Sequence, residues 1–289
     1  MGKRHIGYKE IAEAVESLCI AAAYELPVDV LTALEKAAQR ETNPAAAKVL
    51  NQLIENARIA KEQKIPLCQD TGLAVVFVEQ GSQAAVESGG SKTLMDAINV
   101  GVAAGYEKGY LRKSVVAEPL RRTTDDGRQT SYAPAIIHYT AVSGDKLKIT
   151  VMAKGGGCEN KSCFKMFRPT ADRSEIIDWV VSVVKAAGAD ACPPFIVGVG
   201  IGGDFELSCL LSKKALLRNL GEENSNKFYA DLESDLLSAI NSLGLGPQGL
   251  GGDTTALAVL VETAPCHIAS LPVAVNIECH SHRHKSVVI

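Results

Sequence analysis

The chain has 289 residues, 46% of them apolar and 22% charged, which is typical of a globular protein with an aliphatic core. Its formal net charge of −3 provides no basic field, so the composition argues against nucleic acid or anionic lipid as a partner. No uninterrupted apolar run approaches the ~18 to 20 residues that cross a bilayer, so we expect no membrane span. The polar N-terminus lacks the apolar segment of a signal peptide, and we expect a cytoplasmic protein.

Helical patterns dominate the first third of the chain. Apolar residues recur every three or four positions after Asp29. The same spacing returns after Asn43-Pro44, where Asn suits a helix N-cap and Pro the first helical position. This helix is predicted to end before Pro66. A strand-like run follows at 73–80, and a further helix is predicted over about 92–108.

The rest of the chain alternates strands and helices. Strands are predicted at 146–153, 195–203, 256–262 and 268–278, and helices at 173–187, 205–218 and 224–243. This order predicts an α/β or α+β fold, with a helical N-terminal third followed by mixed sheets flanked by helices. No linker-like segment interrupts the pattern, so we expect a single domain over residues 1–289.

The eight cysteines are too sparse for a secreted disulfide scaffold, and we expect thiols. Cys19 and Cys209 lie among apolar residues at helical spacing, which predicts core positions. Three others occur at rigid, non-periodic positions that suit thiolate ligands better than core packing: Cys68, Cys192 and Cys279. The remaining three stay open as ligands or reactive thiols: Cys158, Cys163 and Cys266.

Spacing alone favours a metal site only weakly. No cysteine pair has the C-x-x-C spacing of zinc ribbons or ferredoxin-type clusters. The final C-H-x-H-x-H run, residues 279–284, invites a zinc interpretation, but a solvated histidine-rich terminus is the preferred one.

Four glycine-rich turns could offer backbone N–H groups to an anionic ligand, or could simply be tight turns. They are QDTG at 69–72, KGGG at 154–157, GVGIGG at 198–203 and GLGG at 249–252. None has the spacing of a P-loop or of a dinucleotide fingerprint, which argues against nucleotide binding.

Two charged residues are candidates for chemistry. Asp70 stands between a predicted helix and a predicted strand and could move a proton, although Asp is also a common turn former. Arg112 could hold a carboxylate with two parallel hydrogen bonds, or could be a surface arginine. No Ser-His-Asp order or nucleophile elbow is visible.

Six short segments, taken together, resemble the class I iron–sulfur fumarate hydratase and L(+)-tartrate dehydratase family. They are LCQDTG at 67–72, AKGGGCENKS at 153–162, ACPPF at 191–195, GIGG at 200–203, GLGG at 249–252 and NIECH at 276–280. They fall in that family's order and cover the chain from about residue 40 onward. The length resembles that of the α subunit of the two-subunit form, which is equivalent to the N-terminal domain of the single-chain enzymes.

The resemblance implies a set of site residues. A [4Fe–4S] cluster would be held by Cys68, Cys192 and Cys279. Gln69 and Asp70 would contact substrate, with Asp70 managing the proton at the hydroxyl. Arg112 would grip one substrate carboxylate, and the KGGG loop, chiefly Gly156, would offer backbone N–H groups to the other end.

The resemblance also implies an activity: a hydro-lyase that reversibly dehydrates a 2-hydroxy dicarboxylate. Malate and fumarate are the preferred substrates, with tartrate or a methylated dicarboxylate as alternatives. The remaining site residues would come from a β subunit, plausibly in an α2β2 enzyme, so the chain alone would be inactive.

Two features depart from the family pattern or lie outside it. Cys158 stands where many relatives have a small polar residue, and the histidine-rich tail has no family role. Two other classes stay open. One is a non-catalytic iron–sulfur or zinc-binding protein, and the other is a metal-free domain that binds a small molecule.

Overall fold

A computed structural model describes residues 3–87, 92–120 and 130–289. The described chain divides into two compact units. The first takes residues 3–27, 57–87, 92–120, 130–155 and 283–289, and the second takes 28–56 and 156–282. The segments of the two units alternate along the chain. The single domain expected over residues 1–289 stays a prediction.

The helices are α1 (Tyr8–Tyr24), α2 (Val28–Arg40), α3 (Pro44–Gln63), α4 (Leu94–Lys108), α5 (Gly156–Glu159), α6 (Arg173–Ala187), α7 (Phe205–Ala215) and α8 (Lys227–Asn241). The strands are β1 (Arg4–Gly7), β2 (Leu73–Gly81), β3 (Ala84–Glu87), β4 (Val115–Val116), β5 (Thr130–Ser131), β6 (Ile136–Val142), β7 (Leu147–Lys154), β8 (Cys163–Phe167), β9 (Phe195–Gly202), β10 (Ala256–Ala264), β11 (Leu271–Glu278) and β12 (His284–Val288).

The first unit is built on a four-stranded sheet of order β12-β7-β2-β6, in which only the β2–β6 pair is parallel. The helices α1 and α4 pack against each other, and α1 also contacts β7 and β12. Their apolar faces and the inner face of the sheet form one core, with Ile11, Val76 and Ile149 fully buried. This core fixes the end of β2 that follows the QDTG segment.

The second unit contains a sheet of order β10-β9-β11-β8, parallel between β10 and β9 and antiparallel elsewhere. Helices α6 and α8 contribute Val180 and Leu236 to its core, which also contains the alternating buried residues of β9. Helix α7 contacts β9 and β11. The end of β11 leads directly into the CH-x-H tail.

The mixed helix and sheet architecture confirms the predicted fold class. The helix predicted at 173–187 has those bounds in the structure, and its Asp172 N-cap accepts a hydrogen bond from the Glu175 N–H. Asn43 likewise caps α3 by accepting from the Ala45 N–H at 2.9 Å. Strands β1, β3, β4, β5, β6, β8 and β12 were not predicted, because all of them except β6 have five residues or fewer.

One helical stretch, Tyr8–Arg40, is long and apolar enough to cross a membrane by length and composition. It was not expected from the sequence, because polar and charged residues interrupt its apolar runs. Within this stretch α1 buries Ile11, Val15 and Ala22 in the core of the first unit. A core helix of a globular protein passes the same test, and this burial favours that interpretation of α1.

Candidate functional site

The QDTG segment forms an irregular loop between α3 and β2 in the first unit. Asp70 Oδ1 accepts a hydrogen bond from the Gly72 N–H at 3.0 Å, which closes a tight turn. Gly72 has φ of +77°, and a Cβ there would lie 3.0 Å from the backbone N of Lys154. Only glycine therefore lets the loop pass this close to the end of β7.

Two buried side chains hold this loop from the protein interior. Arg283 is 1% exposed, and its Nη1 donates to the Asp70 carbonyl at 2.7 Å. The Tyr106 hydroxyl donates to the Gly72 carbonyl at 3.1 Å, and burial raises the pKa of this phenol. The backbone on both sides of Thr71 is thus anchored by donors from β12's N-terminal edge and from α4.

Arg112 lies beside the same loop, because its backbone N–H donates to Thr71 Oγ1 at 2.8 Å. Its side chain is exposed, as is that of Gln69, whereas Cys68 and Asp70 are half-buried. Cys68 Sγ lies 3.4 Å from Gln69 Oε1. The structure therefore brings the backbone of Arg112 beside the segment that carries three other predicted site residues: Cys68, Gln69 and Asp70.

The other three predicted site residues belong to the second unit. Cys192 follows the short 3-10 turn Ala189–Ala191, is exposed, and has the left-handed φ of 56°. Cys279 follows the last residue of β11 and is half-buried. Gly156 is the exposed first residue of α5. As predicted, both cysteines stand outside regular helices and strands.

A compact group of metal-ligating side chains surrounds Cys279. The ligand atoms of Cys158, Glu278 and Cys279 all lie within 4.8 Å of one another. Cys158 is 4% exposed and donates to the Ala191 carbonyl at 3.4 Å, and Glu278 is fully buried. Sequence reasoning missed Glu278, whose only signal was an acidic residue inside the apolar β11 pattern.

The remaining cysteines separate by burial. Cys19 is buried in α1, and burial raises the pKa of its thiol to about 12, as expected of a core position. Cys209 is only half-buried on α7, so its predicted core position is wrong. Cys163 and Cys266 are exposed.

The expectation of a solvated histidine-rich terminus is wrong. His282 and Arg283 are buried, and the His282 Nε2 donates to the Leu216 carbonyl at 2.6 Å. The chain then continues as β12, which pairs with β7 from His284 opposite Met152. The polar residues of the tail predicted exposure to solvent. In the structure the buried His282 binds a backbone carbonyl, and His284 begins an edge strand of the sheet.

Two of the glycine-rich segments have structural explanations. Gly198 and Gly200 lie inside β9, where an added Cβ would overlap the carbonyl oxygens of Ser212 and Ser208 on α7. These glycines allow a helix to pack closely on the strand. The GLGG segment leads into Asp253, whose backbone N–H donates to the Glu41 carboxylate at 2.9 Å.

The predicted cluster ligands are chemically suited to iron and sulfide. Cys68, Cys192 and Cys279 all offer sulfur, are exposed or half-buried, and stand in loops. Thiolates are the usual protein ligands of iron–sulfur clusters. The buried Cys19, with its raised pKa, illustrates the contrasting environment of an inert thiol.

Comparisons with known proteins cover almost the whole chain. The family model described as fumarate hydratase (Fumerase) matches residues 12–288. The chain is similar to a putative L(+)-tartrate dehydratase subunit alpha from Methanocaldococcus jannaschii, at 40% identity over 275 residues, 95% of each protein. The L(+)-tartrate dehydratase subunit alpha of Escherichia coli O157:H7 is 29% identical over 97% of this chain and 91% of its own length. The same subunit from Escherichia coli strain UTI89 is 30% identical over 95% and 89%.

Proposed function

This chain belongs to the fumarate hydratase (Fumerase) family, and we propose that it is the α subunit of an iron–sulfur hydro-lyase acting on a 2-hydroxy dicarboxylate. The observation that carries the proposal is the grouping of Cys68, Asp70 and Arg112 around one anchored loop. A cysteine, a carboxylate and an arginine whose backbone binds the same loop match the needs of dicarboxylate dehydration.

The proposed cofactor is a [4Fe–4S] cluster held by Cys68, Cys192 and Cys279. Three thiolate ligands leave one iron without a protein ligand, and this iron supplies a Lewis acid for a substrate carboxylate and hydroxyl.

In this proposal the chain's own residues bind substrate and move a proton. The exposed Arg112 guanidinium binds a substrate carboxylate with two parallel hydrogen bonds. The Gln69 amide orients the substrate, and the Gly156 N–H supports its other end. Asp70 Oδ2 holds the proton at the hydroxyl that leaves, while Oδ1 stays bonded to the Gly72 N–H.

Two substrates are candidates. The family description, fumarate hydratase, supports malate and fumarate, and the names of the relatives given above support L(+)-tartrate. The two reactions differ by one hydroxyl, so a few contacts decide between them. Since the relatives' names agree with one another, tartrate is the second substrate to assay beside malate. A malate and fumarate activity would place the protein in the tricarboxylic acid cycle.

We also propose a cytoplasmic enzyme assembled with a β subunit as α2β2. The relatives are named as alpha subunits, which supports a separate partner chain. A non-catalytic iron–sulfur or zinc-binding protein would bind metal through the same cysteines but show no turnover with any β chain.

Iron and acid-labile sulfide in anaerobically purified chain test the proposal first. About four of each per chain are expected. Cys68→Ser, Cys192→Ser and Cys279→Ser should each lose the cluster, whereas Cys19→Ser, the matched control, should retain it and lose ~1–3 kcal/mol of stability. A folded chain that stays free of iron after anaerobic reconstitution would overturn the cluster.

Activity is tested on the chain assembled with its β subunit. Malate dehydration is followed as fumarate formation, and tartrate dehydration as formation of the corresponding 2-oxo dicarboxylate. Turnover of one of these supports the hydro-lyase and identifies its substrate. A cluster-loaded assembly that turns over no 2-hydroxy dicarboxylate would instead favour the non-catalytic class.

A further inference from the structure

The group formed by Cys158, Glu278 and Cys279 contains two residues that the proposed function does not use, Cys158 and Glu278. Cys158 lies on the short helix α5, Glu278 is the last residue of β11, and Cys279 follows it; α5 and β11 contact each other. The two sulfurs and one carboxylate oxygen come within 4.8 Å of one another. Three elements of the second unit thus converge, since Cys158 also donates to Ala191, the last residue of the 3-10 turn.

The spacing of these atoms is close to that required by a single metal ion. Zinc binds sulfur at ~2.3 Å and carboxylate oxygen at ~2.0–2.2 Å, so tetrahedral ligand atoms lie roughly 3.5–3.8 Å apart. The three atoms, which lie within 4.8 Å of one another, would move about 1 Å closer when they bind one ion.

The donor set and its burial select the class of metal. Two thiolates and one carboxylate favour zinc over the hard cations magnesium and calcium. Cys158 is 4% exposed and Glu278 is fully buried, and buried ionised groups are stabilised by coordinating a metal.

We propose that the chain without its cluster binds one Zn²⁺ ion through Cys158, Glu278 and Cys279. A fourth position is left for water. The next consequence rests on the proposed function: because Cys279 is also a proposed cluster ligand, zinc at this group and the cluster exclude each other. Cys158 then determines how strongly zinc competes with cluster assembly.

Metal titration of the cluster-free full chain, under anaerobic conditions, tests the site directly. Zn²⁺ is titrated against a chromophoric chelator, and Co²⁺ is used as a spectroscopic probe. We expect one ion per chain and a thiolate-to-cobalt charge-transfer band. Cys158→Ser should weaken Zn²⁺ binding by about 100-fold or more, since even outer-shell changes cost ~10–100-fold.

Variants separate this site from the cluster. Cys158→Ser should keep four irons per chain after reconstitution, whereas Cys279→Ser should lose both metals. Cys266→Ser, an exposed cysteine outside the group, is the matched control and should change neither. Far-ultraviolet circular dichroism verifies that each variant folds.

Two results would overturn the proposal. One is a Co²⁺ spectrum or a zinc affinity that Cys158→Ser leaves unchanged. The other is loss of the cluster in folded Cys158→Ser, which would make Cys158 a cluster ligand. Zinc binding in a chain that never accepts iron would sustain the zinc site while overturning the proposed function, so the two failures are distinguishable.

Discussion

Asp70 closes the loop through one carboxylate oxygen, and in the proposed function the same side chain moves a proton. Its Oδ1 accepts from the Gly72 N–H at 3.0 Å, and an asparagine oxygen can accept the same bond. We therefore expect Asp70→Asn to keep the loop, the cluster and substrate binding, while turnover of the assembled enzyme falls by ~10²–10⁴-fold. Steady-state kinetics measure turnover and substrate binding, and the iron content measures retention of the cluster. Unchanged turnover would remove Asp70 from the mechanism.

Arg283 is a positioning residue in the proposed site, because it reaches the Asp70 backbone rather than the substrate. Arg283→Gln removes the 2.7 Å bond from Nη1 to the Asp70 carbonyl. Hydrogen bonds to charged donors are worth ~1.5–3 kcal/mol, so we expect a loss of stability of that order. We also expect kcat to fall while KM changes little, since the proposed substrate contacts of Arg112 and Gln69 are retained.

Arg283→Lys is the matched variant, because lysine retains the charge and one donor. It should recover part of the lost kcat. A purely structural role predicts instead that kcat per loaded cluster is unchanged once the folded fraction is taken into account. Equal kcat in Arg283→Gln and in the unmodified enzyme would contradict the positioning role.

At the scale of elements, close approach of α7 to β9 requires glycine. A Cβ at Gly200 would overlap the Ser208 carbonyl and lie near the Ser212 backbone N. We expect Gly200→Ala to cost ~1–3 kcal/mol, because overpacking forces backbone shifts. Gly7→Ala is the control, since its added Cβ would lie 4.0 Å from Glu10 Cβ. Urea unfolding measures both, and equal stabilities would contradict the packing explanation.

The long periodic elements were predictable from the sequence, and their caps explain why. Asn43 is a local capping signal that located the start of α3, whereas the helix at 173–187 was located from its apolar spacing, and Asp172 caps it in the structure. The roles of Gly198 and Gly200 were not predictable, because a glycine inside a strand and one in a tight turn look alike until the packed helix is known.

The candidate site was predictable only in part. The motif around Cys68 and Asp70 identified the loop, since turn residues and a cysteine are visible locally. The anchoring of that loop by Arg283 depends on a contact between residues 213 positions apart. Neither the burial of Arg283 nor that of Glu278 follows from hydropathy, which treats charged residues as solvated.

For the whole molecule, the exposure of proposed site residues limits what this chain does alone. The first unit contains Cys68, Asp70 and Arg112, and the second contains Cys192 and Cys279. The side chains of Arg112 and Cys192 are exposed in the single chain. Electrostatic interactions in a site become stronger when bulk water is excluded, and a β subunit that covers these groups would provide that exclusion.

We therefore expect the cluster-loaded chain alone to show no turnover of malate or tartrate above background, and the assembly with its β subunit to be active. The physical reason is that cluster ligation needs only this chain's cysteines. Turnover also needs the site residues of the β subunit and the exclusion of bulk water that the β subunit would provide. Iron content and turnover, measured on the same anaerobic sample before and after adding the β subunit, separate the two. A chain that holds four irons and turns over as fast alone as in the assembly would show that the site is complete without a partner.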